Sequence, residues 1–167
     1  MTPEEFTKEI ERRAQEIRTY VNTKFPVQAG DTALRFINGN FRAQGWQGAS
    51  FQQWKPNKRK GTILVKSGHL RSASYYTIQP AQVTIKNTLP YAKIHNEGGV
   101  INKTATVRAH TRRGRRKETY VKSHTRRMNL TVPKRQFAPS ASSPSPVLNN
   151  AIVRRIDSEI KRIFKIN

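Results

Sequence analysis

Apolar residues near the start of the chain recur at the spacing of a helix. Four of them share one face: Phe6, Ile10, Ile17 and Val21. They predict a helix that runs to about Lys24 with this stripe facing a core. Thr2 is the expected N-cap, because Pro3 suits the first helical position and Glu5 stands where a capping box needs an acidic residue. Phe25-Pro26 is predicted to end the helix, since proline disfavours helical geometry in the preceding residue.

A second and weaker helical pattern follows. Its apolar positions are Ala33, Leu34, Ile37 and Phe41. It predicts a helix that begins near Asp31, although Gly39 within it is unfavourable. Residues 45–61 show no period and predict a long loop. Its aromatic residues are expected to pack on the core rather than to offer platforms for a ligand: Trp46, Phe51 and Trp54.

The middle of the chain predicts short elements. Residues 67–70 favour the start of a short helix or turn. Residues 75–80 and 82–87 are typical of two strands joined by a tight turn. Residues 89–99 indicate a short helical or irregular piece that ends at a pair of glycines.

The last helix is predicted over residues 146–166. Ser145 is the expected N-cap and Pro146 suits the first helical position. The predicted apolar face consists of Ile152, Ile156, Ile160, Ile163 and Phe164.

Residues 103–135, which we call the basic arm, contain a near-repeat. Val107-Arg108-Ala109-His110-Thr111-Arg112-Arg113 is echoed fourteen residues later by Val121-Lys122-Ser123-His124-Thr125-Arg126-Arg127. The repeat predicts two antiparallel strands with a turn near Gly114, a long hairpin that stands out from the rest of the chain. The alternative is a disordered cationic loop, because the charges around the turn repel one another.

Charge is the unusual feature of the composition. Thirty-two lysines and arginines against ten acidic residues give a net charge of +22. The basic arm carries twelve basic side chains and one acidic one, so half of the net charge lies in a fifth of the 167 residues. Such a balance favours a polyanionic partner. The length fits a single domain, residues 1–167, and no apolar run is long enough to span a membrane.

Groups for catalysis are few. The two aspartates, Asp31 and Asp157, suit a cap and a helix surface rather than an acid–base pair. The sequence has no cysteine, no nucleophile elbow and no phosphate-binding loop. We therefore predict that the protein is not an enzyme, with no catalytic residue and no cofactor.

The four histidines raise the question of a metal site. His95-Asn96 is superficially similar to an HNH nuclease motif, and His110 and His124 could meet across a hairpin. Glu118 is the one carboxylate near that pair, and the surrounding arginines disfavour a cation. We predict no metal site, and we interpret His69 and His95 as hydrogen-bonding residues in turns.

The basic arm is the candidate interaction site. Its predicted contact residues are Arg108, His110, Arg112, Arg113, Arg115, Arg116, Lys117, Lys122, His124, Arg126 and Arg127. On nucleic acid they would contact phosphates without reading sequence, and Tyr120 alone gives little support for base stacking. Alternatively, they meet acidic protein surfaces in an assembly.

Four segments, taken in order, resemble the phage virion morphogenesis family, the tail completion or neck proteins of Mu-like and related tailed phages. They are Trp54-Lys55-Pro56, residues 63–73, Tyr91-Ala92-Lys93-Ile94-His95-Asn96-Glu97-Gly98-Gly99 and Val132-Pro133-Lys134-Arg135-Gln136-Phe137. The chain departs from the family pattern at Gln136, where the family tends to have proline. The resemblance implies structural roles for Trp54, Ser67, Gly68, Leu70, Tyr91, His95, Asn96, Gly98, Gly99, Pro133, Arg135 and Phe137.

The resemblance also implies a fold and a function. The fold is α+β, a small antiparallel sheet packed by N- and C-terminal helices. The function is structural: a ring of copies of the chain, six-fold, at the neck or tail end of the virion, assembled in the host cytoplasm, through which DNA passes. Its expected partners are portal or adaptor proteins and tail-tube or terminator proteins, with non-specific contact to the genome and none to a membrane. The alternative function is sequence-indifferent DNA binding.

Overall fold

The computed structural model describes residues 2–57, 61–114 and 117–165. Within these ranges the fold is α+β, with helices near both termini and four two-stranded antiparallel sheets. The predicted fold class and the two end helices are therefore confirmed. The β-structure is divided among several small sheets rather than collected in one.

The first helix begins as the sequence predicts. Helix α1 spans Pro3–Thr19 and has Thr2 as its N-cap. The Thr2 hydroxyl accepts a hydrogen bond from the Glu5 amide at 3.2 Å, and the Glu5 carboxylate accepts one from the Thr2 amide at 2.8 Å. Two amides that the helix leaves without partners are thus satisfied reciprocally.

The helix does not end at Phe25-Pro26, so that prediction is wrong. A π-helical turn, Tyr20–Lys24, leads directly into helix α2, Phe25–Ala43. In the wide turn the Phe25 amide donates to the Tyr20 carbonyl. Pro26 then falls in the first turn of α2, where its missing N–H costs little. The start predicted near Asp31 is wrong for the same reason, since α2 already runs through that residue.

The core forms where α2 meets the loop that follows it. Its buried members are Ile37, Phe41, Trp54, Leu70, Ala92 and Phe137. The Phe41 ring lies edge-on to Trp54, with centroids 5.5 Å apart, and 5.2 Å from Phe137. Trp46 and Trp54 are buried as predicted. The prediction that Phe51 packs on the core is wrong, because this residue is exposed. It lies in a hairpin within residues 45–61, β1 Gly45–Gln47 and β2 Phe51–Gln53, where its ring lies against Gly45.

The short central elements match their predictions. Helix α3 spans His69–Ser72, strands β3 Ser74–Gln79 and β4 Gln82–Asn87 pair in antiparallel register, and helix α4 spans Ala92–Glu97. Ala81 has a positive φ of 57° in the tight turn between the two strands.

The C-terminal helix α5 spans Pro146–Phe164 and is capped by Ser145, whose hydroxyl accepts from the Leu148 amide at 3.2 Å. Ile163 of the predicted apolar face is buried, whereas Ile160 is exposed. Within the described residues, no helix is long and apolar enough to cross a membrane.

The predicted core stripe of α1 is wrong in its first half. Phe6 is 57% exposed and Ile10 is 45% exposed, and α1 buries none of its residues. The helix meets α5 further along, where the Arg13 guanidinium donates to the Ile163 carbonyl and lies 5.2 Å from the centre of the Phe164 ring. The apolar positions before Arg13 therefore lie on the surface of this chain.

We expect Phe41→Ala to lower the free energy of unfolding by about 3–5 kcal/mol, because it leaves a cavity among the aromatic rings of the core. The matched change Phe51→Ala removes an exposed ring and should cost about 0.5 kcal/mol. Urea denaturation of both variants measures the difference, and similar losses would contradict the assignment of the core.

Candidate interaction ribbon and its anchor

The two halves of the basic arm pair with each other. Strand β5, Gly99–Val107, runs antiparallel to β8, His124–Val132, and β6, His110–Arg113, runs antiparallel to β7, Glu118–Val121. We call these four strands the ribbon. The Gly114 amide donates to the Lys117 carbonyl at 3.0 Å, which places the turn near the predicted glycine. That the ribbon protrudes from the rest of the chain remains a prediction.

The near-repeat explains a break in the ladder. Val107 pairs with His124 on one side of the break, and His110 pairs with Val121 on the other. Each histidine donates from Nδ1 to the carbonyl two residues before it, at 3.0 Å for His110 and 2.9 Å for His124. The equivalent halves of the repeat thus make equivalent turns of the backbone. The two histidines face valines in this register rather than each other.

The longer pair of strands has two chemically different faces, because residues paired across an antiparallel ladder share a face. One face, which we call the apolar-basic face, consists of Ile101, Leu130, Lys103, Met128, Ala105 and Arg126. On it Leu130 is 57% exposed, Met128 40% and Ile101 37%. The opposite face bears mostly threonine and asparagine. The ribbon therefore exposes apolar side chains and positive charge on the same face.

The described cations of the basic arm lie in solvent, with one exception. The exposed ones are Lys103, Arg108, Arg112, Arg113, Lys117, Lys122, Arg126, Arg127 and Lys134. Arg113 pairs with Glu118 at 2.9 Å, an exposed contact between neighbouring strands. Arg115 and Arg116, also predicted contact residues, lie outside the described residues. The exception is Arg135, which is buried.

The base of the ribbon is held by a set of buried polar side chains that we call the anchor: Asn40, Asn96, Arg135 and Gln136. Asn96 lies in α4 just before β5 begins, and its side-chain oxygen accepts from the amides of Phe137 and Ala138, both at 2.9 Å. Those amides lie just after β8 ends. One carboxamide thus joins the chain that enters the ribbon to the chain that leaves it.

Arg135 fixes the same exit to the loop after β2. Its guanidinium donates to the carbonyls of Lys55 at 2.9 Å and Pro56 at 3.2 Å, and its amide donates to the His95 carbonyl at 2.9 Å. Burial lowers the pKa of Arg135. The indole nitrogen of Trp54 donates to the Gln136 carbonyl at 2.8 Å. A cation that looks like part of the basic arm in sequence is a structural residue here.

Gln136, where the resemblance implies proline, makes contacts of its own. Its side-chain amide donates to the carbonyls of Ala138 at 3.2 Å and Ser143 at 3.0 Å. A proline at this position would not make these two bonds. Gln136 therefore attaches the segment before α5 to the base of the ribbon.

Gly98 is required by the close approach of the two chains. Its φ is +76°, and a Cβ there would lie 2.8 Å from the backbone nitrogen of Lys134. A side chain would push apart the segments that Asn96 joins. Gly98, which ends α4, therefore also permits the close approach of the two chain segments at the base of the ribbon.

The remaining motif residues have mixed surroundings. Leu70 is buried in the core, and Gly68 caps α3 with a φ of +80°. Ser67 is exposed, Pro133 is half-buried beside the ribbon exit, and Gly99 opens β5. Tyr91 is partly exposed, and its ring lies edge-on to His95, with centroids 5.9 Å apart.

His95 differs from its prediction. It lies in α4 rather than in a turn, and its Nδ1 is buried without a hydrogen-bond partner among the described residues. Burial, and secondly the positive charge of Arg135, lower the pKa of His95. Its side chain is therefore held in the neutral form at physiological pH. Within the described ranges, no group of three or more histidine, aspartate or glutamate side chains is placed to hold a metal.

Sequence reasoning missed part of the anchor. Asn40 is fully buried, and it donates to the Phe137 carbonyl at 3.0 Å and accepts from the Gln47 amide at 3.1 Å. The available signal was its position, three residues after Ile37 on the apolar face of α2. A polar residue on a buried stripe needs partners, and these are backbone groups distant in sequence.

Comparison with known proteins gave one family. The model of the phage virion morphogenesis family matches residues 7–142 of the chain. The match begins within α1 and extends through the ribbon and the anchor. No curated protein and no solved structure gave a significant match.

We expect Asn96→Ala to lower the free energy of unfolding by about 2–4 kcal/mol, because it leaves two buried amides without an acceptor. Asn102→Ala, on the exposed polar face of the ribbon, is the control and should cost about 0.5 kcal/mol. Chemical denaturation checks both values. Equal costs would show that the anchor does not hold the base of the ribbon.

We also expect acid to destabilise the protein through His95. Because its pKa is lowered on folding, the unfolded chain takes up the proton first as pH falls, and the free energy of unfolding decreases below about pH 6.5. In His95→Gln this part of the pH dependence is absent. Thermal unfolding of both proteins at about pH 7.5 and about pH 5.5 measures it; identical pH dependence in the two would contradict the assignment.

Proposed function

Because the chain belongs to the phage virion morphogenesis family, we propose that it is a non-enzymatic structural protein that joins heads to tails or completes tails. In this proposal several copies form a ring, six-fold as the resemblance implies, at the neck or tail end of the virion. The genome passes through the ring. Portal or adaptor proteins and tail-tube or terminator proteins are its neighbours.

The apolar-basic face is the observation that supports an assembly role most directly. A surface that only binds nucleic acid needs cations and polar donors, because the phosphate backbone offers little apolar surface to bury. Leu130, Met128 and Ile101 expose large apolar side chains beside Lys103 and Arg126. Contiguous exposed apolar surface with a charged rim is typical of a contact with another protein.

The anchor supports the same role by fixing the base of the ribbon. A docking element binds more tightly when its conformation is set before contact, since less entropy is lost on binding. Asn96 and Arg135 attach both ends of the ribbon to α4 and to the loop after β2. The partner therefore binds a ribbon whose base is already fixed before contact.

Sequence-indifferent DNA binding is the second candidate function, and the exposed cations favour it. Nine described lysines and arginines of the basic arm lie in solvent. Each phosphate they neutralise would release about one counterion, so binding would weaken steeply with salt. In this function the charge matters and the apolar side chains do not.

Replacing Arg112, Arg113, Arg115 and Arg116 with serine separates the two functions. If the protein is structural, the variant should fold normally but fail to join separately prepared heads and tails. The control replaces Arg18, Arg42, Arg154 and Arg155, which removes the same charge elsewhere and should leave joining intact. The readouts are infectious particles formed on mixing and duplex binding across a range of salt.

The opposite pattern would support DNA binding. Normal joining by the arm variant, together with duplex affinity whose salt slope falls by about 3–4, would reject the structural role of the arm. Unchanged joining and unchanged DNA binding would reject both functions for this segment.

A further inference from the structure

The first half of α1 is a second exposed apolar surface. Phe6 and Ile10 are one helical turn apart, so their side chains lie on the same side of the helix. Both are largely exposed, although their spacing is that of a core stripe. The helix contacts α5 of its own chain further along, through Arg13. An apolar stripe that its own chain leaves open is suited to a partner.

The same half-helix has the opposite charge to the rest of the chain. Residues 2–11 contain four glutamates, Glu4, Glu5, Glu9 and Glu11, and one lysine, a net charge of −3 in a chain of +22. Glu9 is paired with Arg12 and Arg13 within the helix. Glu11 takes part in none of the ion pairs of the described chain and is exposed. A negative charge is thus available beside the open apolar stripe.

We propose that the apolar-basic face of the ribbon docks on the first half of α1 of a second copy of the chain. Each surface joins exposed apolar side chains to charge, and the charges have opposite sign. Leu130 and Met128 would cover Phe6 and Ile10, while Lys103 and Arg126 would approach the glutamates. The proposal rests on the self-assembly in the proposed function and names the surfaces that perform it.

A second copy fits this surface better than a foreign acidic protein. The two patches occur once in every chain, so each copy supplies one ribbon and one helix. Because the patches differ, the contact is heterologous, and its repetition closes a ring when the rotation between copies allows it. The contact also places the acidic half-helix against the most basic segment, which lowers the repulsion between copies of +22 each.

Disulfide trapping tests the contact directly, because the chain has no cysteine. One preparation carries Ile10→Cys and another carries Leu130→Cys, and the two are mixed under mild oxidation. We expect a cross-linked heterodimer in large excess over that formed when Val153→Cys replaces Ile10→Cys. Val153 is 51% exposed on α5, so the control cysteine is as accessible as the test one.

Charge-reversal variants test the electrostatic contribution to the proposed contact between copies. Glu11→Lys and Arg126→Glu should each weaken self-association about two- to fivefold, and the two changes combined in one protein should restore it. Asp157→Lys is the control for Glu11→Lys, because it changes the net charge equally on α5. All of these positions are exposed, and circular dichroism verifies that the variants fold.

The outcomes separate this contact from the proposed function. Self-association with equal cross-linking of the test and control cysteines would overturn the contact while leaving the ring in place. Cross-linking above the control only when an acidic virion protein is added would likewise overturn docking between copies. No self-association at any concentration or salt would overturn both the contact and the ring.

Discussion

The hydrogen bonds of one buried carboxamide join the chain that enters the ribbon to the chain that leaves it. Asn96 precedes β5 by three residues, and the amides that it binds belong to Phe137 and Ala138, a few residues after β8. The bonds are shielded from water, so losing them would leave buried amides unsatisfied rather than hydrated. Arg135 and Asn40 hold the same segment from two other directions. What the ribbon can contact depends on this fixed base.

Charge is the second constraint, and it limits how copies of the chain approach one another. At +22 per copy, close association needs neutralisation by salt, by DNA or by acidic protein surfaces. The fold concentrates the positive charge on a ribbon and leaves a small negative patch on α1. Exposed apolar side chains lie beside the positive charge of the ribbon and beside the negative patch of α1. An assembly that brings these two surfaces together gains apolar burial and reduces its own repulsion in one contact.

Local chemistry made much of the fold predictable. The capping box at Thr2, the N-cap at Ser145, the alternation in β3 and β4, and the near-repeat around His110 and His124 each specify structure over a few residues. The error at Pro26 arose because a π-helical turn shifted the backbone register, which no side-chain pattern records. The spacing of Phe6 and Ile10 is that of a core stripe, and spacing alone does not tell whether the same chain covers it.

The anchor was only partly predictable, because its bonds join positions far apart in the chain. The motifs of the sequence include Trp54, Asn96 and Arg135, but the roles of these residues depend on backbone partners that the sequence does not identify. Arg135 lies within the basic arm in sequence, and it is buried. Asn40 and Gln136 show why: a polar side chain on a buried surface must find partners, and only the tertiary fold supplies them.

The mass of the purified chain in solution, measured over a range of salt concentrations, shows whether copies of the chain form a ring. We expect one closed oligomer of defined size, which forms more readily once salt screens the repulsion between copies. A monomer at every salt concentration, binding duplex DNA but never itself, would contradict it.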